Sequence, residues 1–531
     1  MKGDGIRLLR SIALLAAAGF SIGACPVGAA IKYEVSLDHP ERHRFGVSMT
    51  IPIEGREVIV AMAAWNALYQ VRDFSQRVRD VSAACPGADG APAAVRKLDK
   101  QTWRISLSKD CGSGDRNGVE VHYTIEWDDL GPFNSQLNEH HAFVNLAEIL
   151  MYVPDRRIED TSVRFIDVPP GWRTAAELAA AQVDNMYVAP SYDKLVDAPV
   201  EAGKFDEFQF DSDGARFHVV VDGGNLNRRF LEEGLRRITN YELQLMGGPP
   251  FDSPGREYTF IFHIDPGEDV GAGGMEHANS TAIAMRTVEG AVGVAAHEFF
   301  HVWNVKRIRP QSLEPVDFTK EQYTRALWFA EGVTNTYAAY TLERTGLWSK
   351  GQLYLDLAAQ IGELESRPAR TWQSVEESSL DAWFEKYDAY NLPDRSISYY
   401  NKGQILGVLL DLAIRDASDG RKSLDDVLRR MNVEYAQQGR FYDDSEGIRA
   451  VVEEVAGKSF QEFFRRYVSG TDEIPYNDFL SIAGLELKAK DGSGPVNPGA
   501  PAAPPYTIAE ISNPTDRQRR IREGLLRGTT D

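Results

Sequence analysis

The chain has 531 residues, a formal net charge of −20 and 43% hydrophobic residues. A chain this acidic does not neutralise phosphate backbones, which excludes nucleic acid as a partner, while its apolar content suffices for large cores. Its length predicts roughly two to four domains.

Residues 1–30 read as a secretory signal. Lys2, Arg7 and Arg10 make a basic start, and residues 11–24 form an apolar run too short to span a bilayer comfortably. Two processing sites are legible. One is the small-residue site at Gly28-Ala29-Ala30; the other is Ile22-Gly23-Ala24-Cys25, which resembles a bacterial lipobox and would leave Cys25 as a lipid-bearing N-terminus. Both place the mature chain in the periplasm or on the envelope of a bacterium, with no transmembrane helix. In that oxidising setting Cys85 and Cys111 are candidates for a disulfide. A catalytic thiol is not expected, since Cys85 precedes Pro86 and Cys111 lies in a Gly/Asp-rich loop.

From residue 31 to 224 the pattern is mainly period two. Phe45, Val47, Met49 and Ile51 alternate with polar or small residues, as do Val119, Val121, Tyr123, Ile125 and Trp127. Such runs, separated by Gly/Asp/Asn/Pro turns, predict a sandwich-like N-terminal β domain. From residue 225 to 488 the period turns helical, beginning with Phe230, Leu231, Leu235, Ile238, Tyr241 and Leu245. A small sheet over residues 258–264 and 281–285 precedes a series of helices. Residues 489–531 read as a flexible Pro/Gly/Ala-rich tail, with a short basic segment that is more readily solvated than packed. The fold class expected is therefore multidomain α+β, a β domain followed by a mainly helical one.

The helical part contains His297-Glu298-Phe299-Phe300-His301. Histidines four apart share one helix face, so both imidazoles can serve one metal ion, with Glu298 placed to act on water as a general base. A catalytic zinc keeps three protein ligands, and Glu331 in the apolar run LWFAEG is the acidic candidate for the third. Asn335, one turn later, is placed to hold a ligand histidine. The basic run Lys306-Arg307-Ile308-Arg309-Pro310 is expected to form internal ion pairs near this helix, the alternative being that it binds the carboxylate end of a substrate.

HEFFHVWNVKRIRP, LWFAEGVTNTY and ISYYNKG together resemble, in order and content, the glycyl aminopeptidase family of zinc metallopeptidases, and more distantly the alanyl aminopeptidase and leukotriene hydrolase family. The resemblance spans about residues 271–484. It implies a thermolysin-like catalytic domain of the gluzincin type, one zinc per chain held by His297, His301 and Glu331, and Glu298 as base and proton shuttle. It also implies that Gly273, Gly274, Met275 and Glu276 bind substrate, with Glu276 pairing with the free α-amine; His277 stands where relatives have asparagine. Tyr400 matches the tyrosine that donates to the oxyanion, with Tyr399 as its immediate neighbour and rival. Peptides with a small first residue, glycine or alanine, are the implied substrates. A zinc endopeptidase of the same fold and an inactive secreted binding protein are the competing readings. Too few residues follow Gly484 for the PDZ domain that many members carry.

Overall fold

The computed structural model describes residues 30–53, 55–66, 69–86, 90–107, 118–224, 227–251, 256–264, 272–490 and 505–528. Residues 1–29 of the expected signal, with Cys25, and Cys111 lie outside them. Cys85 is disulfide-bonded. No helix among the described residues is long and apolar enough to cross a membrane.

The N-terminal part is β-rich. Its main sheet has seven strands: Ile31–Ser36 pairs in parallel with Thr161–Ile166 and antiparallel with Arg44–Ile51, which in turn pairs with Val119–Glu126. The alternation read from the sequence is the alternation of burial: Phe45, Val47, Met49 and Ile51 point into one core with Val119, Val121, Tyr123 and Ile125. A three-stranded and a four-stranded sheet complete this part.

The second part is mostly helical and begins with a five-stranded sheet in the order Asp206–Ser212, Ala215–Asp222, Glu257–Ile264, Ser280–Met285, Gly273–Glu276. Three strands run in parallel, and Gly273–Glu276 lies antiparallel at the edge. Glu257–Ile264 is buried along nearly its whole length, as a parallel strand covered on both faces must be.

Two expectations are corrected. The boundary at residue 224 is too late: Ala215–Asp222 pairs in parallel with Glu257–Ile264, so the hairpin 206–222 belongs to the second sheet and the first part ends near residue 204. The tail beyond residue 489 is not flexible throughout. Tyr506–Glu510 pairs with Leu485–Ala489, and the helix Asp516–Arg527 buries Ile521 and Leu525 against the catalytic helices. Its arginines are not simply solvated: Arg517 pairs with Asp416 and Asp419, and Arg522 with Glu510.

A buried polar network ties the two parts together. Glu201 of the first accepts from His141 at 2.9 Å and from His263 of the second at 2.9 Å, and Asp222 lies 3.4 Å from His141. The other nitrogen of His141 meets Gln136 Oε1 at 3.0 Å, so both its N–H groups have acceptors. Burial opposes its protonation, but Glu201 outweighs it and the imidazole is raised to about 9.

Candidate metal centre and substrate cleft

The helix Val288–Phe300 carries the two histidines. Thr287 caps its start, its Oγ1 accepting from Gly290 N at 3.1 Å, and His301 closes it in a right-handed helical conformation that preserves the i, i+4 relation. Glu331 comes from a π-helical turn, Trp328–Val333, at the head of the helix Thr334–Arg344. Such wide turns bring side chains to positions a regular helix cannot reach.

These elements bring three donors together. His297 Nε2 and His301 Nε2 lie 2.8 Å apart, and Glu331 Oε2 is 3.5 and 3.3 Å from them. Tetrahedral zinc with bonds of about 2.0–2.1 Å separates its ligands by about 3.3–3.4 Å, so the donor set fits that ion in type, and the two Glu331 distances match it while the histidine nitrogens stand closer together. Two imidazole nitrogens at 2.8 Å cannot both carry protons; they can share one proton or one metal ion. His301 Nδ1 donates to the Asn304 carbonyl at 2.6 Å, which fixes the tautomer with Nε2 free for a metal. Glu331 lies well below the ordinary carboxylate range: burial opposes this, but His301 and His297 dominate.

Asn335 does not play the part expected of it. It lines the adjoining cavity but hydrogen-bonds neither histidine; the main chain of Asn304 holds His301 instead, and His297 Nδ1 has no hydrogen-bond partner among the described residues. Asn304 is itself pinned by its amide donating to Phe329 O at 2.8 Å and to Thr334 Oγ1 at 3.1 Å, which locks the histidine helix to the Glu331 turn.

Glu298 is 5% exposed, and burial pushes its carboxyl well above the usual range, with Glu276 and Glu331 adding to the shift against His301. Gly274 of the edge strand lies directly over it: an added Cβ there would stand 2.5 Å from Glu298 Oε1 and closer still to Cγ and Cδ. Glu276 lies on the same strand, and carboxylate oxygens of Glu276 and Glu298 and a nitrogen of His301 all fall within 4.8 Å of one another. Its carboxylate makes no ion pair among the described residues. Met275 is buried, and His277 turns to Asp197 of the first part at 3.4 Å. Asp197 also takes Lys306 Nζ at 2.8 Å, Arg307 bonds Ala278 O and Asn279, and Arg309 pairs with Glu314. The basic run is thus engaged in ion pairs and main-chain contacts, while Lys306 and Arg309 also line the cavity past Glu276.

The helix Tyr399–Ala417 brings the tyrosines. It touches the Glu331 turn backbone to backbone: a Cβ on Gly332 would overlap Gly403 Cα, and one on Gly403 would overlap Trp328 O. Only two glycines permit that approach. Tyr400 then faces the centre, its ring 6.3 Å from that of His297, with its hydroxyl unbonded among the described residues. Tyr399 is tied to Glu385 at 3.3 Å. Burial, then Glu331, raises Tyr400 well above its ordinary value, so it is a neutral donor. The two tyrosines thus differ in surroundings, Tyr400 beside His297 and Tyr399 bonded to Glu385.

The cavity at the donors, about 100 Å³, is also lined by Tyr69, Gln70, Phe133 and Glu385, which sequence reasoning did not find. The first three come from the β part. Arg72 anchors the Phe133 loop by donating to its carbonyl at 2.5 Å and to the buried Glu148 at 2.8 Å.

Residues 32–204 match the family model described as the Peptidase M61 N-terminal domain, and residues 290–406 match that of M61 glycyl aminopeptidase. The first match ends where the structure places the boundary. The solved structure of an aminopeptidase N family protein from Idiomarina loihiensis is similar at a TM-score of 0.80 and 24% identity, over 87% of this chain and 79% of that one, which shows the fold. An M1 zinc metallopeptidase from Deinococcus radiodurans is similar at a TM-score of 0.48 and 14% identity, over 84% of this chain and 94% of that one. No curated protein matches.

Proposed function

The chain belongs to the M61 glycyl aminopeptidase family of metallopeptidases, and from that premise we propose that it is a zinc-dependent aminopeptidase that releases a small first residue, glycine or alanine, from peptides. His297, His301 and Glu331 would hold one zinc. When bound, the ion supplies Lewis acidity, polarising a carbonyl and acidifying water. Glu298 takes the proton of the attacking water on a carboxylate oxygen and returns it to the leaving nitrogen. Tyr400 donates a hydrogen bond from its hydroxyl to the oxygen on which negative charge develops, an interaction that typically contributes about 10²–10³ in rate. Glu276 pairs with the substrate ammonium and so sets which bond is offered.

The observation that carries this reading is the place of Glu276. A carboxylate without an ion pair among the described residues lies within 4.8 Å of the base and a ligand histidine, on an edge strand whose glycines admit a peptide backbone. One observation favours the endopeptidase reading: a cavity of about 370 Å³ continues past Glu276, with room for residues ahead of the scissile bond. Hydrolysis of glycyl- and alanyl-arylamides beside their N-acetylated forms decides between them. Activity confined to the free amines, with KM raised at least tenfold by Glu276→Gln, supports the aminopeptidase; cleavage of acetylated forms at comparable rates overturns it. We further propose that the protein is exported to the periplasm or envelope, which the disulfide at Cys85 supports.

A further inference from the structure

Two cavities adjoin the metal centre. The one past Glu276 shares only Tyr69 and Glu276 with it. The other, about 430 Å³, shares Phe133, Gly274, His297, Glu298 and Tyr400 with the centre, and Glu276 does not line it. With the amine at Glu276 and the scissile carbonyl at the donors, the chain beyond that carbonyl leads into this second cavity. It therefore receives the leaving portion of the substrate.

The chemistry of that cavity is lopsided. Val294, Ala338, Leu342 and Trp348 give it apolar wall. Its acidic residues among the described ones are Glu298, the base beside the donors, and Asp356, and no lysine or arginine lines it. Asp356, on the helix Lys350–Glu365, is half-buried and accepts from Gln404 Nε2 at 2.6 Å. It has no ion pair among the described residues. Burial pushes its carboxyl above the ordinary range, the signature of a carboxylate drawn from water without a cation to compensate.

We propose that this cavity is the subsite for the second substrate residue, and that Asp356 is a specificity residue selecting lysine or arginine there over glutamate or aspartate. This rests on the aminopeptidase reading above and deepens it. A long cationic side chain lays its methylene stem along apolar wall and presents its head to a carboxylate. An acidic side chain would instead meet Asp356 in a cavity that no lysine or arginine lines, and like charge in a partly dry site is what discriminates against a wrong partner.

The test uses full-length, zinc-loaded protein and the capped tripeptides Ala-Lys-Ala-NH2, Ala-Gln-Ala-NH2 and Ala-Glu-Ala-NH2, whose amidated ends remove the terminal carboxylate. Dissociation constants are measured calorimetrically on a Glu298→Gln background, and kcat/KM on the active enzyme, each with Asp356, Asp356→Asn and Asp356→Lys. The expected result is lysine over glutamate by about tenfold or more in affinity, a ratio that collapses toward one in Asp356→Asn and inverts in Asp356→Lys. Equal affinities with Asp356 present, or a lysine preference that persists in Asp356→Asn, overturn the assignment even where all three peptides are hydrolysed. Absence of both binding and hydrolysis overturns it together with the aminopeptidase reading, so the two failures are distinct.

Discussion

Replacing Gly274 with alanine adds one methyl group at the most crowded point of the site. The backbone there is not in the left-handed region, so alanine brings no conformational strain of its own, and the whole effect is contact. The new Cβ would overlap the Glu298 carboxylate, 2.5 Å from Oε1, where real contacts begin above about 3 Å. Either the edge strand or Glu298 must shift by roughly 1 Å. A misplacement of that size costs about 10² in rate, and complete loss of a general base costs up to about 10⁴. The zinc donors come from other elements and are left in place. Gly274→Ala should therefore lose about 10²–10⁴ in kcat on alanyl-arylamide while keeping its zinc and most of its thermal stability. Zinc content, Tm and kcat measured on one preparation check this. A variant that keeps its zinc and works within threefold of wild type would refute the inference that the strand seats the base.

Tyr400→Phe should lower kcat by about 10²–10³ with little change in substrate affinity, whereas Tyr399→Phe should cost less than tenfold, because its hydroxyl serves Glu385; steady-state kinetics of the pair separates the roles. Deleting residues 505–531 should lower Tm by several degrees or more, since it removes the buried Ile521 and Leu525, worth about 1.5–3 kcal/mol each, and the Leu525 carbonyl that Arg344 contacts at 2.9 Å; differential scanning calorimetry would show it. The interdomain network gives a pH signature. His141 is raised to about 9 in the folded protein, so its stabilisation is complete below its unfolded value near 6.5 and is lost as pH rises through about 9, on the order of 3 kcal/mol in all. Denaturant unfolding between pH 6 and 10 should show that decline, flattened in His141→Gln.

What the sequence revealed and what it hid follows from how locally each feature is encoded. HEFFH is visible because two ligands and a base fit in one helical turn and a half, and Glu331 because it is the acid in an apolar run. The partner of His301 is invisible in the sequence: it is the main-chain carbonyl of Asn304, which any residue carries, whereas the sequence points to the side chain of Asn335. Tyr399 and Tyr400 are equal in sequence; only the packing of Gly332 on Gly403 turns one toward the centre. Phe133 and Tyr69 come from a part of the chain whose period-two pattern reports burial and not position. The same blindness misplaced the boundary at residue 224, since period two cannot say which sheet a strand joins. The C-terminal helix looked solvated because five arginines outweigh two buried anchors until their carboxylate partners are seen.

The central claim is that one zinc at His297, His301 and Glu331 supports hydrolysis with Glu298 as base. The direct measurement is titration of metal-free protein with zinc while metal content and alanyl-arylamide hydrolysis are followed together, in wild type, Glu331→Gln and Glu298→Gln. The account predicts that activity rises to a break at one zinc per chain, that Glu331→Gln needs at least tenfold more zinc, and that Glu298→Gln binds zinc normally yet stays inactive. Full activity in Glu298→Gln, or zinc affinity unmoved by Glu331→Gln, would contradict it.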